Sequence, residues 1–249
     1  IPTLVAVPDK VAERSEALGW RDVIGLLRSN PILWRLLTAD FTTSFAMSAT
    51  AALYIFFATY VFELKDHASL ALLLYFVAGF LAMPVWLKLA YRMGKVGAIK
   101  LAVGYTMVLQ SGLFFVTEPG NVALFWSYTC MAGLAFGAGP TLLHSMMADL
   151  TDIDELKTGQ KRAGMYFALL ATINKLGGAV AVGVTLTAAD KLFNFTPGAA
   201  NSQAAIDGLL LIFCFVPATA LALTYLPLYR YPLTKEKHAE IRRSLSPQE

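Results

Sequence analysis

Charge and cysteine are what this chain has least of. Only 15% of its 249 residues are Asp, Glu, Lys or Arg, against 57% that are hydrophobic. Soluble domains carry about 25% charged residues, so this chain has too little polar surface to cover a water-soluble globule. The mean hydropathy of +0.57 agrees, and the chain is expected to be an integral membrane protein. The two cysteines, Cys130 and Cys214, both fall in apolar runs. That excludes a disulfide framework and a thiolate metal cluster, and each is expected to pack as a small apolar side chain. Ile1 is not an initiator methionine, and the first residues lack the basic segment, short apolar core and cleavage site of a signal peptide. The chain therefore reads as a fragment. Its net charge of +3 is spread without forming a basic face, so nucleic acid is not expected as a partner.

Long apolar runs are what the chain has in abundance. Six spans are predicted, at 32–62, 70–89, 101–117, 122–148, 164–188 and 206–229. Ahead of them, residues 1–31 read as a linker carrying a short interfacial helix, with Trp20, Val23, Ile24 and Leu27 on one face and Arg21, Asp22 and Arg28 on the other. Residues 230–249 read as a polar tail. Pro31 suits a helix start, where its missing N–H would be unpaired anyway, and Glu118-Pro119-Gly120-Asn121 has the composition of a tight turn. Six spans put both ends of the domain on one side. Only Lys65 and Lys191 fall on the opposite side and only Lys175 within a span, which leaves seventeen of the 20 Lys and Arg on the terminus side. By the positive-inside rule both termini are expected to be cytoplasmic.

Lys175 lies about twelve residues into the fifth span, roughly 17 Å along a helix and so near a bilayer midplane. Ala168, Ala171, Thr172, Gly178 and Ala179 share its face, which is small and partly polar and unsuited to lipid. An ammonium group there suits a charge relay toward an acid or a solute oxygen, or a structural ion pair between helices. Asp40, with Thr43, Ser44 and Met47 near its face, points into the bundle or toward interfacial water. His144 shares a stripe with Gly133, Gly137, Pro140, Thr141 and Ala148, where it can titrate near neutral pH or cap a carbonyl. Gln110 reads as interhelical glue. The Gly133-x-x-x-Gly137 spacing followed by Pro140, together with Gly178, predicts close helix packing and a hinge.

Between the fourth and fifth spans the charged stretch from Asp149 to Arg162 is expected to form a short loop. It contains Asp149, Asp152, Asp154, Glu155, Thr158, Gly159 and Arg162, without the alternate ligands and sixth-position glycine of an EF-hand, and no metal site is assigned. Asp149-x-x-Asp152 at a helix end leaves open a membrane enzyme that holds a diphosphate through a divalent metal, although no second aspartate-rich segment accompanies it.

The stretch Ala148-Asp149-x-x-Asp152-x-Asp154-Glu155-Leu156-Lys157-Thr158-Gly159-x-Lys161-Arg162-x-Gly164 closely resembles the loop between the tenth and eleventh helices of the glycoside-pentoside-hexuronide:cation symporters, the melibiose permease-like family of the major facilitator superfamily. The similarity runs from Asn30-Pro31 to Tyr231-Pro232-Leu233. It departs at Ala163, where the family often has an acid, and at Tyr91, where an aspartate is expected before Arg92-x-Gly94-Lys95 in the superfamily's basic loop motif. The resemblance implies an all-α membrane protein: the last six of twelve helices, arranged as two three-helix units of inverted topology. Lys175 falls at the place of a lysine that helps form the family's cation site, and with Thr172, Asn174 and Asp40 it is expected to line a solute and cation cavity. The stretch from Asp149 to Arg162 is expected to gate the cytoplasmic side.

The function so implied is symport of a sugar or glycoside with Na⁺ or H⁺ by alternating access, not enzymatic catalysis, with no cofactor beyond the coupling ion. The implied partners are an N-terminal six-helix half, which holds the family's main sugar- and cation-binding carboxylates, the small-molecule solute and the lipid bilayer. The expected location is multi-pass in a bacterial inner membrane. A carrier of a lipid or amino acid derivative, the metal-dependent membrane enzyme, and a half-domain that only packs against a partner chain are the alternatives.

Overall fold

The computed structural model describes residues 20–232, and its elements are helical throughout: α1 (Trp20–Ser29), α2 (Pro31–Phe56), α3 (Ala68–Met93), α4 (Lys95–Val116), α5 (Val122–Leu134), α6 (Ala138–Thr158), α7 (Ala163–Phe193) and α8 (Gln203–Leu228). A wider π turn over Phe57–Val61 extends α2, and a single 3₁₀ turn over Lys65–His67 leads into α3. Six spans are long and apolar enough to cross a membrane, with α2 and its π turn forming one and α5 and α6 together forming another. Large apolar side chains such as Phe80, Leu81 and Phe115 stand on the outer surface, 79%, 68% and 78% exposed. Only a hydrocarbon surround makes that arrangement inexpensive.

Local chemistry sets the helix starts. Asn30 Oδ1 accepts from Leu33 N at 3.1 Å ahead of Pro31, Asn121 Oδ1 accepts from Leu124 N at 3.0 Å, and Ser202 Oγ accepts from Ala205 N at 3.3 Å. Each side chain satisfies a donor of the first turn that the helix itself cannot reach.

Several helices outrun the spans read from hydropathy. α4 starts at Lys95 rather than 101, directly after Gly94, whose φ of +83° turns the chain sharply. α7 runs to Phe193 rather than 188. The expected loop of residues 149–162 is corrected most: α6 continues to Thr158, and Gly159, at φ +69°, ends it. Hydropathy registers the thickness of the apolar slab, whereas a helix can continue beyond it once its charges reach water or one another. The fourth span is also two helices, because the chain breaks at 135–137. Pro140 therefore lies in the first turn of α6, where its missing N–H costs little, and does not kink a continuous helix. In α1 Leu26 is buried and Leu27 packs partly against the core, while Ile24 is 48% exposed. Residues 1–19 of the expected linker and 233–249 of the expected tail lie outside the described residues.

α2 is the central strut, packed along α7 and α8, while α8 also packs on α4 and α3 on α5. Apolar side chains concentrate at the two ends of the bundle. One cluster, at the terminus side, joins Leu33, Leu36, Ile99, Met147, Leu150, Tyr166 and Leu228. The other joins Leu53, Phe57, Phe62, Phe125, Leu209 and Phe213, with the rings of Phe57 and Phe213 stacked 3.8 Å apart. Between these plugs the helices line a partly open cavity.

Candidate functional site

α7 is the least covered of the spans, and its buried residues form one narrow stripe: Tyr166, Leu170, Gly177, Ala181, Thr185 and Ala189. Glycine lets this stripe approach α2 closely. A Cβ at Gly177 would stand 2.8 Å from the Phe41 carbonyl oxygen, and one at Gly178 would stand 3.0 Å from Ser48 Oγ. The other face, with Ala168, Ala171, Thr172, Lys175 and Ala179, is exposed. Thr172 Oγ1 donates to its own Ala168 carbonyl at 2.8 Å. Lys175 forms none of the ion pairs among the described residues.

Asn174 points the other way. Its Nδ2 donates to Ser44 Oγ on α2 at 2.6 Å, and its side chain also acts as a hydrogen-bond partner of Asp40. Asp40 is only 1% exposed, and His144 on α6 lies near enough to act on it electrostatically. The four predicted cavity residues therefore separate into two groups one residue apart on α7: Asp40 and Asn174 inside, Lys175 and Thr172 outside. His144 is exposed, its ring beside Phe167 and its Nδ1 2.8 Å from the Pro140 carbonyl.

The partly open cavity measures about 330 Å³ and contains none of those four residues. Carbon lines most of it, from Ala46, Met47, Tyr75, Phe76, Ala132, Phe136, Pro217 and Leu221 among others. Several polar groups on its wall are engaged. Thr43, Thr50, Thr106 and Thr129 each donate to a carbonyl one helical turn back. Gln110 Nε2 donates to the Phe213 carbonyl at 2.6 Å, and its Oε1 accepts from Tyr128 at 2.8 Å. Gln110 is thus interhelical glue and cavity wall together. The cavity escaped sequence reading because its wall combines residues from six helices; the alanines at 46, 51, 102, 132 and 135 were the available signal.

The helix break at 135–137 borders this cavity and is tightly held. The backbone of Gly133 lies against that of Tyr75, leaving no room for a Cβ, and a Cβ at Gly79 would stand 2.9 Å from the Gly133 carbonyl oxygen. Trp86 Nε1 donates to the Leu134 carbonyl at 2.6 Å, and Tyr105 donates to the Met131 carbonyl at 2.8 Å, so side chains replace the helical partners those carbonyls lack. Gly137 faces the Met83 side chain.

At the terminus side, charges from distant parts of the sequence meet. Lys95 Nζ lies 2.7 and 2.6 Å from the two oxygens of Asp149 and donates to the Ser145 carbonyl at 3.2 Å, tying the start of α4 to α6. Arg162 grips Asp154 through both carboxylate oxygens at 2.9 and 2.8 Å across the 159–162 turn. Thr158 Oγ1 donates to the Asp154 carbonyl at 2.7 Å and accepts from Gln160 N at 3.3 Å. Asp152 is half-buried, as is Glu155, whose carbonyl accepts from Gly159 N at 2.7 Å. Nearby, burial pushes the Tyr231 phenol up, and its hydroxyl has no hydrogen-bond partner among the described residues.

Residues 4–235 match the family described as MFS/sugar transport protein. An uncharacterized symporter of Synechocystis sp. is 28% identical over 206 residues, covering 80% of this chain and 38% of that protein. A protein of Escherichia coli provisionally named a glycoside/cation symporter is 27% identical over 222 residues, covering 85% of this chain and 46% of that protein. The sodium-dependent lysophosphatidylcholine symporter 1-A of Danio rerio is 23% identical over 205 residues, covering 82% and 38%. The chain spans less than half the length of these curated relatives. With six membrane-length helices and a family match along almost all of its length, the chain belongs to the melibiose permease-like MFS/sugar transport family of the major facilitator superfamily.

Proposed function

We propose that this chain is the second six-helix half of a cation-coupled symporter for a sugar or glycoside, in which the Lys175 face of α7 lines a passage shared with the other half. The observation that carries this reading is the position of Lys175: midway along a membrane-spanning helix, exposed, and with no ion-pair partner among the described residues. Insertion scales assign a central lysine about 2.5–3.5 kcal/mol against hydrocarbon, so its face calls for water or a counter-charge from outside these six helices. A passage between two halves provides both. The symporter names of the relatives support the same reading. In it the terminus side is cytoplasmic, the membrane is a bacterial inner membrane, and the pairs Lys95–Asp149 and Arg162–Asp154 belong to the cytoplasmic gate.

The test is uptake of labelled glycosides into vesicles carrying the full-length protein, with Na⁺ and H⁺ gradients imposed separately. Gradient-driven accumulation that is lost in Lys175→Ala at equal expression is the expected result. Undiminished accumulation in that variant refutes the role given to Lys175.

A second reading concerns the solute alone. The cavity offers mostly carbon, and Gln110 on its wall is already bonded on both sides, which favours the apolar part of an amphiphile over a free sugar. The name of the Danio rerio relative points the same way. Competition of a lysolipid with glycoside uptake separates the two.

A further inference from the structure

Asp40 is the tenth residue of α2, inside a membrane span, and only 1% exposed. Its Oδ2 has no hydrogen-bond partner among the described residues, and the ion pairs there, Lys95–Asp149, Arg162–Asp154 and Lys191–Asp190, exclude it. A carboxylate so placed and uncompensated costs more than the surrounding packing can offset, so the group holds either a cation or a proton.

The surroundings favour the proton. Ser44 Oγ accepts from Asn174, and Thr43 Oγ1 donates to the Ala39 carbonyl at 2.8 Å, so the nearest hydroxyls are committed elsewhere and do not form a cage for a metal ion. The other charged groups on the helices packed against this site are turned away. Arg35 on α2 donates to the carbonyls of Tyr229 and Arg230, Lys175 on α7 is exposed, Asp149 and Asp154 on α6 are held by Lys95 and Arg162, and Asp207 on α8 accepts from Gln203. His144 on α6 is the titratable group that acts on Asp40, and unlike Asp40 it is exposed.

Building on the symport reading, we propose that Asp40 is a proton-binding site of the transport cycle. Protonation turns the buried carboxylate into a neutral carboxylic acid, and loss of the proton empties the site. Asn174 reads the change. Its amide is shared between Asp40 and Ser44 while Asp40 is a carboxylate, and protonation weakens its bond to Asp40. The neighbouring residue on α7 is Lys175, so the proton on α2 alters how the solute-facing side of α7 is held.

The experiment is infrared difference spectroscopy on the full-length protein in proteoliposomes over a pH series, with no solute present. A carboxylic acid carbonyl band that titrates in the wild type and disappears in Asp40→Asn is expected; a band unchanged in Asp40→Asn overturns the proposal. Asp40→Glu keeps a carboxyl at this position and tests the site without depending on the folding of the first variant. It should retain a titrating band at a shifted frequency, and a band identical to that of the wild type overturns the assignment to Asp40. Because the band needs no solute, a failure of all solutes to accumulate would remove the symport reading while leaving the proton site to be judged on its own spectrum.

Discussion

Arg162 and Asp154 close the turn between α6 and α7, and their geometry fixes what removing them should cost. Two charge-assisted bonds at 2.9 and 2.8 Å join them, and their side chains are 18% and 11% exposed. A fully exposed pair contributes about 0.2–1 kcal/mol, whereas breaking a fully buried one costs about 3–5 kcal/mol. This pair is mostly buried but still touches water, and Arg162→Ala should destabilise the turn by about 2 kcal/mol, with a coupling energy to Asp154→Ala of about 1–2 kcal/mol. Thermal unfolding of the four members of the double-mutant cycle, in full-length protein in detergent, measures that coupling. A coupling near zero would show that the carboxylate and guanidinium are solvated separately and that the turn is held by the helix ends alone. If the turn also belongs to a gate, about 2 kcal/mol placed on one conformation corresponds to roughly a 30-fold change in the rate of leaving it. Replacing Asp149 and Arg162 together should then lower turnover more than solute affinity, and a pure loss of affinity would refute a gating role.

Two further predictions rest on packing and pH. Gly133→Val places a branched side chain against the Tyr75 backbone, which cannot move aside, and should destabilise the protein by about 1–3 kcal/mol, whereas Gly183→Val, with nothing within 4 Å of its added Cβ, should stay within about 0.5 kcal/mol of wild type; unfolding in detergent ranks the two, and equal losses would refute the tight crossing of α3 and α5. Burial raises the phenol of Tyr231, so the unfolded chain releases this proton first as pH rises past the ordinary tyrosine value of about 10, and wild-type stability should begin to fall there while Tyr231→Phe loses none through this group. Parallel stability curves for the two proteins above that pH would refute the claim.

The spans were legible because a bilayer demands long apolar helices, and the charged stretch was legible as a family motif. What the stretch would look like was not. Asp149 and Asp154 lie within a helix, and their partners Lys95 and Arg162 sit 54 and 8 residues away, a pairing that only the meeting of α4, α6 and the following turn creates. The same limit applies to the cavity. Periodicity assigns residues to faces of one helix, and this pocket is lined by faces of six. The break at 135–137 was hidden for another reason. Glycines at 133 and 137 signal close approach in a straight helix as readily as in a broken one, and the side chains that secure the freed carbonyls, Trp86 and Tyr105, come from α3 and α4.

Sequence also grouped Lys175 with Asn174 and Asp40, and the division between them is the more informative result. Successive residues on a helix are turned about 100° apart, so an amide bonded to Ser44 leaves the next side chain pointing out of the bundle. Gly177, one turn further on the buried stripe, allows α7 to meet the α2 backbone with no side chain between. A shift of Asn174 therefore cannot be absorbed by a soft layer of side chains, because protein interiors are close-packed and respond as solids. In the proposed cycle this rigidity links a proton on Asp40 to the solute-facing Lys175 without direct contact between the two charges. Enlarging Gly177 forces α7 away from the Phe41 carbonyl and should uncouple the two sites, and solute exchange that persists without gradient-driven accumulation is the result that would distinguish uncoupling from simple loss of fold.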